Sequence, residues 1–265
     1  MSHRTTRAFT LQELIIVIGI VALLAAILFP VFQRARDRAT QGVCLSHMTD
    51  LGTAMAQYSQ DYNGQLIKAY YGFPPDCASW GTYYYSWRFA LKPYVATVET
   101  FACPQNTQQS NWENWVFSTQ SVGGYSHFLP SSYAPNGYVI GFAHGDCVGL
   151  PNGLRTRSQV SSPAKVIMLT DSRAGWPTLT SQQIGDTYAG DSAPGYHLQG
   201  GVAPTYPAGS GTFMNHAGFV HFLMLDGHTR SMKLSSSVLP DDLWLSGATL
   251  SDRQGYVSTM PAEYN

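Results

Sequence analysis

From Leu14 to Phe29 the chain reads LIIVIGIVALLAAILF, sixteen residues without a charge. Ala8, Phe9, Thr10, Leu11, Gln12 and Glu13 lead into this run and Pro30 follows it. Phe9 and Leu11 extend its apolar character toward the N-terminus, giving about twenty residues, or roughly 30 Å of helix, enough to cross a bilayer. A cleaved secretory signal has a shorter apolar core that closes on an Ala-x-Ala-like site. Ala22, Ala25 and Ala26 make no such site, and the run continues past them. Glu13 is the anomaly at its head. A carboxylate within a membrane helix is costly, so Glu13 calls for either a cationic partner or a place at the interface, half in water.

After Pro30 the pattern turns amphipathic. Arg34, Arg36, Asp37 and Arg38 are followed by Cys44, Met48, Leu51, Met55, Tyr58 and Tyr62, whose alternating spacing of four and three sets all six on one helix face. Asn63-Gly64 supplies a C-terminal stop. A helix from Phe9 to Tyr62 is about 80 Å long. Its first half is apolar all round, and its second half presents one stripe for a globular body to cover. A coiled-coil stalk is the weaker alternative, because the stripe lasts under three heptads. Charge counting does not orient the span, since Arg4 and Arg7 precede it and Arg34, Arg36 and Arg38 follow it.

The residues around Glu13 resemble the leader of type IV prepilins, shared by type IV pilins and the pseudopilins of type II secretion. The resemblance implies a prepilin peptidase that cuts between Ala8 and Phe9 and methylates the new N-terminus at Phe9. It also supplies Glu13 with a cation, the α-amine of Phe9 on a neighbouring subunit, which is mostly charged at neutral pH. Glu13 and Phe9 would then set the register of assembly. Ala8 stands where Gly is usual, and Gln12 where an aliphatic residue is usual. Pro30 matches a proline common near the end of the apolar stretch in this family, where it removes one backbone hydrogen bond and kinks or locally melts the helix. Orientation also comes from the resemblance, which implies a cytoplasmic leader and an external bulk.

Of the 265 residues only 12% are charged and the net charge is −1, so no nucleic-acid footprint is indicated. The abundance of Tyr, Trp, Gly and Pro points to a β- and loop-rich body with aromatic-lined surfaces. Cys44, Cys77, Cys103 and Cys147 fall in the part placed outside the cytoplasm, where disulfides persist. None forms a C-x-x-C pair, and three connectivities are open. We favour Cys44 with Cys103 and Cys77 with Cys147, the first stapling the long helix to Phe101-Ala102-Cys103-Pro104; buried free thiols are the other reading.

Within the globular part, Trp87 to Val95 reads as a short helix stopped before Pro93. Residues 105–162 read as loops with short strands. Ala164 to Thr170 (AKVIMLT) reads as a buried strand, and an irregular excursion covers 172–212. Phe219 to Leu225 (FVHFLML) is a second buried strand, Asp226-Gly227 a tight turn in which both residues take positive φ, and His228 to Leu234 the return strand.

Several of these segments strengthen the resemblance: Cys44-Leu45-Ser46, Asp50-Leu51-Gly52, Asp61-Tyr62-Asn63-Gly64, Leu91-Lys92-Pro93-Tyr94-Val95, Phe101-Ala102-Cys103-Pro104, and Ser162-Pro163-Ala164 through Thr170-Asp171-Ser172. They look like successive blocks of a large bacterial pilin-like family whose C-terminal signature is a His, nine residues, then Asp-Gly, here His216 and Asp226-Gly227. Catalysis by His216, Asp226 and His228 as an acid-base or metal set is the weaker reading of that signature. The plainer one is a strand turn, with His216 hydrogen-bonded near the strand start. Asp171 reads as a loop-anchoring acceptor. No Gly-x-Ser-x-Gly, His-Glu-x-x-His or Gly-Lys-Ser/Thr motif occurs, so no catalytic residue is assigned and the chain is not read as an enzyme. Pseudopilins often hold calcium in a late loop, which makes Asp186 and Asp191 weak candidate oxygen ligands; no other metal or cofactor is indicated.

The expectation is an α+β pilin "ladle", a long N-terminal transmembrane and amphipathic helix packed on an antiparallel β-sheet head with long loops. Its parts are a leader (1–8), a membrane and assembly half of the helix (9–30), an amphipathic half (31–63) and a globular head (64–265). The expected role is a structural subunit of a type IV pilus-like or type II pseudopilus-like filament. As a precursor it would be a single-pass protein of the cytoplasmic membrane, and as a processed subunit part of a surface or periplasmic fibre. Its partners would be copies of itself, other pilins, prepilin peptidase, the inner-membrane assembly platform and, before assembly, membrane lipid. The alternative is a minor pilin, adhesin or membrane-anchored glycan-binding or surface-binding protein that uses Trp80, Tyr83, Tyr84, Tyr85, Trp87, Trp112, Trp115 and Trp176.

Overall fold

The computed structural model describes residues 10–68, 70–71, 85–106, 129–130, 132–140, 153–154, 156–172, 216, 218–245 and 250–258. The architecture is α+β, a long apolar N-terminal helix and a four-stranded antiparallel sheet. Two compact units divide the chain between Gln41 and Gly42. The division falls within helix α1, which runs Leu11–Asp61 with Pro30 inside it and helical residues on both sides.

In the first unit, each large apolar side chain of α1 from Leu14 to Phe32 keeps more than half of its area exposed. In the second unit α1 behaves as its periodicity requires. Cys44, Met48, Leu51, Met55 and Tyr58 are buried, with Gly52 and Ala54 beside them. Tyr62, the last residue of the stripe, is half exposed and stacks on Tyr58 with ring centroids 4.2 Å apart. The helix ends where Asn63 and Gly64 take φ of 55° and 79°. The Gly64 N–H then reaches back to the Ser59 carbonyl at 2.7 Å, the six-to-one closure of a left-handed helix cap.

Two short strands, β1 (Tyr70–Tyr71) and β2 (Tyr85–Ser86), pair antiparallel. Helix α2 (Trp87–Leu91) follows and stops before Pro93, as expected. A 3₁₀ turn, Lys92–Tyr94, carries the chain on through the proline, whose missing N–H has no partner to lose in a first turn.

The main sheet holds β3 (Tyr133–Pro135), β4 (Ile167–Asp171), β5 (Val220–Met224) and β6 (Thr229–Met232) in the order β3-β4-β5-β6, every pair antiparallel. A helical turn α3 (Gly137–Ile140) follows β3, and helix α4 (Leu250–Ser258) lies near the C-terminus. β4 begins three residues later than the apolar run suggested, because Pro163–Lys165 form a 3₁₀ turn, and it extends to Asp171. The return strand is shorter than His228 to Leu234, since the turn consumes His228 and the ladder closes at Met232.

Both sheet faces are covered, so β4 and β5 are buried at every position and lack the apolar-polar alternation of a one-sided sheet. Leu223, Leu225, Leu169 and Tyr133 join the helix stripe, Trp87, Leu91 and Phe101 in one core. Val220, Phe222, Met224, Ile167 and Trp244 form a second core. A register shift between Ile167 and Leu169 puts one extra residue in β4, a bulge that brings Met168 and Leu169 into the same core. Asn136 ties this region together. Its Nδ2 donates to the Ile167 and Trp244 carbonyls at 2.9 and 3.0 Å, and its Oδ1 accepts from the Tyr138 N–H at 3.0 Å.

The β5–β6 turn corrects one expectation. Gly227 has φ of 99°, but Asp226 is not among the positive-φ residues. The Gly227 N–H donates to the Met224 carbonyl, and the Met224 N–H to His228. This is a three-residue loop with a left-handed glycine at its bulge rather than a two-residue primed turn. Asp226 is instead held by its side chain, whose Oδ1 accepts the His228 N–H at 3.2 Å and meets His228 Nδ1 at 2.6 Å.

Candidate functional site

Three sets of residues carry chemistry or staple the fold. The first heads α1. The Thr10 N–H and hydroxyl donate to Glu13 Oε2 at 2.9 and 2.7 Å, and the Glu13 N–H reaches Thr10 Oγ1 at 3.3 Å. Thr10 and Glu13 therefore form a capping box, in which each side chain satisfies a backbone donor that the first helical turn leaves open. The T-x-x-E spacing of Thr10 and Glu13 is the sequence signature of such a box. Among the described residues Glu13 has no cationic partner. Beyond it stretches an apolar surface, including Ile15, Val21, Leu24, Leu28 and Phe32, far larger than a soluble monomer leaves to water. The helix is long and apolar enough to cross a membrane.

The second set is the Cys44–Cys103 disulfide, which joins α1 to the segment after Phe101 with a sequence separation of 59. Both residues are fully buried, and the Tyr133 hydroxyl donates to the Cys44 carbonyl at 3.2 Å beside it. Cys77 and Cys147 lie outside the described residues.

The third set surrounds His216. Strand register lines up Tyr133 with Asp171 and His221 with Ser231. Because Thr170 pairs with Phe222, Asp171 falls beside His221, and a polar row crosses the sheet. Asp171 Oδ2 accepts the His221 N–H at 2.8 Å, and His221 Nδ1 meets Ser231 Oγ at 2.6 Å. His216 folds back through a bridge to Phe219 and stacks on the His221 ring at 4.2 Å. Its Nε2 lies 3.6 Å from both Asp171 Oδ2 and Cys103 Sγ. All three titratable groups are buried. Burial pushes the Asp171 carboxyl well above the usual carboxylate range. Burial, with His221 adding to it, pulls His216 down to about 3, and burial pulls His221 down to about 4. Desolvation thus works against the charged form of each partner in the 3.6 Å Asp171–His216 contact.

His216 thus does not meet Asp226 and His228. It precedes β5 and they follow it, and five strand residues span about 17 Å. Asp171 does act as an acceptor, but for a strand N–H rather than a loop. Trp87, counted among exposed aromatics for glycan contact, is fully buried against Phe101 and under the Arg88 guanidinium. Trp80, Tyr83, Tyr84, Trp112, Trp115 and Trp176 lie outside the described residues, as do Ala8, Phe9, Asp186 and Asp191.

No family model matches the chain, and no solved structure does. A curated protein does match, the type IV wide pilus major component PilA4 of Thermus thermophilus, 42% identical over 60 residues. That match covers 23% of this chain, in its N-terminal region, and the chain spans about half, 46%, of that protein's length. Through the region that supplies its long apolar helix, this chain is similar to a type IV pilin.

Proposed function

We propose that this chain is a pilin-like structural subunit of an extracytoplasmic filament, made as a precursor anchored in the cytoplasmic membrane by α1. The observation that carries this reading is the all-round exposed apolar surface of α1 headed by Glu13, in the same N-terminal region that is similar to a pilus component. Such a surface is satisfied first by lipid and then by neighbouring copies of the same helix, which exclude water equally well. Prepilin peptidase would cut between Ala8 and Phe9 and methylate Phe9. An assembly platform in the inner membrane would then draw the subunit out of the bilayer.

The capping box gives Glu13 its part in this. Both Thr10 donors fall on Oε2, which leaves Oε1 to accept the ammonium of Phe9 from the next subunit. That contact sets axial register, because any other stagger leaves the carboxylate without a cation among apolar side chains. The test is to shear the cell surface, image the sheared material by electron microscopy, and sequence the N-terminus of this protein within it. Filaments whose subunit begins at Phe9 are expected. A chain that retains Met1 in membranes, with no filaments, would overturn the reading.

A further inference from the structure

Asp171, His216 and His221 each offer a ligand atom, all within 4.8 Å of one another, and all three side chains are buried. We propose that these three side chains form a binding site for one divalent transition-metal ion, zinc being the ion that the donor set fits best, in the head of this protein.

Four observations support the site. First, two of its polar atoms are left over by the fold. Among the described residues, Asp171 Oδ1 and His221 Nε2 are buried without a hydrogen-bond partner, a costly arrangement that a bound cation resolves at both atoms together. Second, Ser231 can set the tautomer of His221 that a metal ligand needs. Ser231 Oγ meets Nδ1 at 2.6 Å; with Nδ1–H donating to that hydroxyl oxygen, the Nε2 lone pair is left for the ion, the outer-shell arrangement that fixes the tautomer at such sites. Third, the spacing is close to what zinc needs. Bond lengths of about 2.0–2.1 Å in a tetrahedron set donors roughly 3.3 Å apart. The Asp171 Oδ2 to His216 Nε2 distance of 3.6 Å is near that, and binding turns the His216 ring out of its 4.2 Å stack on His221 so that the two imidazole lone pairs meet at the ion. Fourth, two imidazoles and a carboxylate are a recognised zinc donor set with a fourth position open.

The neighbouring grouping of Cys44, Cys103 and His216 is a different matter. Its sulfurs are joined to each other, and a thiolate, not a disulfide, is the zinc ligand. Burial disfavours the charged form of both imidazoles, the direction that ligation by neutral histidine requires. The site does not depend on the filament reading. Its elements β4, β5 and the residues before β5 all belong to the second compact unit.

The test uses the full chain without a polyhistidine tag, in detergent micelles, stripped with chelator and then titrated with zinc against a chromophoric competitor. One tight equivalent per chain is expected. Cobalt should substitute with the visible bands of a four-coordinate centre, and zinc should raise the thermal midpoint. Asp171→Asn and His221→Ala should bind at least about a hundredfold more weakly, and Ser231→Ala, an exposed residue whose loss leaves the core intact, about tenfold more weakly. His228→Ala, in the exposed turn, should bind as the wild type does. If the wild type takes up no tight zinc, the proposal is wrong. It is equally wrong if Ser231→Ala and whichever of the ligand variants fold keep wild-type affinity.

Discussion

Removing the Cys44–Cys103 cross-link should loosen the second compact unit by an amount that follows from the chain itself. The bond closes a loop with a sequence separation of 59. In the chain-entropy treatment such a loop withholds about 14 cal/mol/K from the unfolded ensemble, or about 4 kcal/mol at 25 °C. Both sulfurs are fully buried between α1 and the segment after Phe101, so reduction leaves two thiols packed where the bridge was and adds little exposed surface. For a unit of this size each kcal/mol moves the thermal midpoint by about 2–4 °C, giving a fall of about 8–16 °C. Tryptophan fluorescence is the suitable readout, because all six Trp lie after Gly42 and none lies in the apolar half of α1. Melts of the full chain in micelles should be compared with and without reductant, and with the Cys44→Ala/Cys103→Ala variant. The comparison of the last two separates the cross-link from the packing of the sulfurs. Midpoints that agree to within about 2 °C across all three samples would show that the denatured chain gains nothing from release of the loop, and the reasoning would fail.

Glu13→Ala should leave membrane insertion unchanged while surface filaments, counted by electron microscopy, are lost; normal filaments would remove Glu13 from register setting. Gly52 sits where an added Cβ would come within 2.7 Å of Leu223 Cδ1, and Leu223 is fully buried. Gly52→Val should therefore cost about 1–3 kcal/mol by overpacking, a loss that its helix-propensity gain of a few tenths does not offset; a denaturation midpoint at or above wild type would contradict the close approach. Asn136→Ala strands two buried carbonyls and an N–H, and should destabilise by about 2–4 kcal/mol in urea titrations. An unchanged midpoint there would mean that the three bonds carry no net stability.

The N-terminal element and its consequences were legible in the chain alone. A charge-free run, a shift to 3.6-residue periodicity at Cys44 and the Asn63-Gly64 stop depend only on neighbours within a few turns, and local spacing records them fully. The buried strand cores around Ile167–Asp171 and Val220–Met224 were legible for the same reason, as compact apolar runs between turn residues. Strand ends were not, because a ladder stops where its partner stops, and the 3₁₀ turn at Pro163–Lys165 and the three-residue loop at Gly227 are set by that pairing. β3 was legible only as one of the short strands expected among the loops of 105–162, because three residues carry no period that would place it.

The polar row was beyond any reading along the chain. Tyr133, Asp171, His221 and Ser231 lie on four strands and meet only because antiparallel register makes them neighbours. His216 joins them only because the chain folds back at Phe219. The nine-residue spacing from His216 to Asp226 drew attention to the wrong partner, since a strand between two residues holds them apart. The sequence by itself determined that this protein has a long apolar helix headed by Thr10 and Glu13, since helix periodicity and hydrophobicity are local. Only the tertiary structure decided which buried groups share the space around His216, since contacts between distant segments are chosen by register and packing.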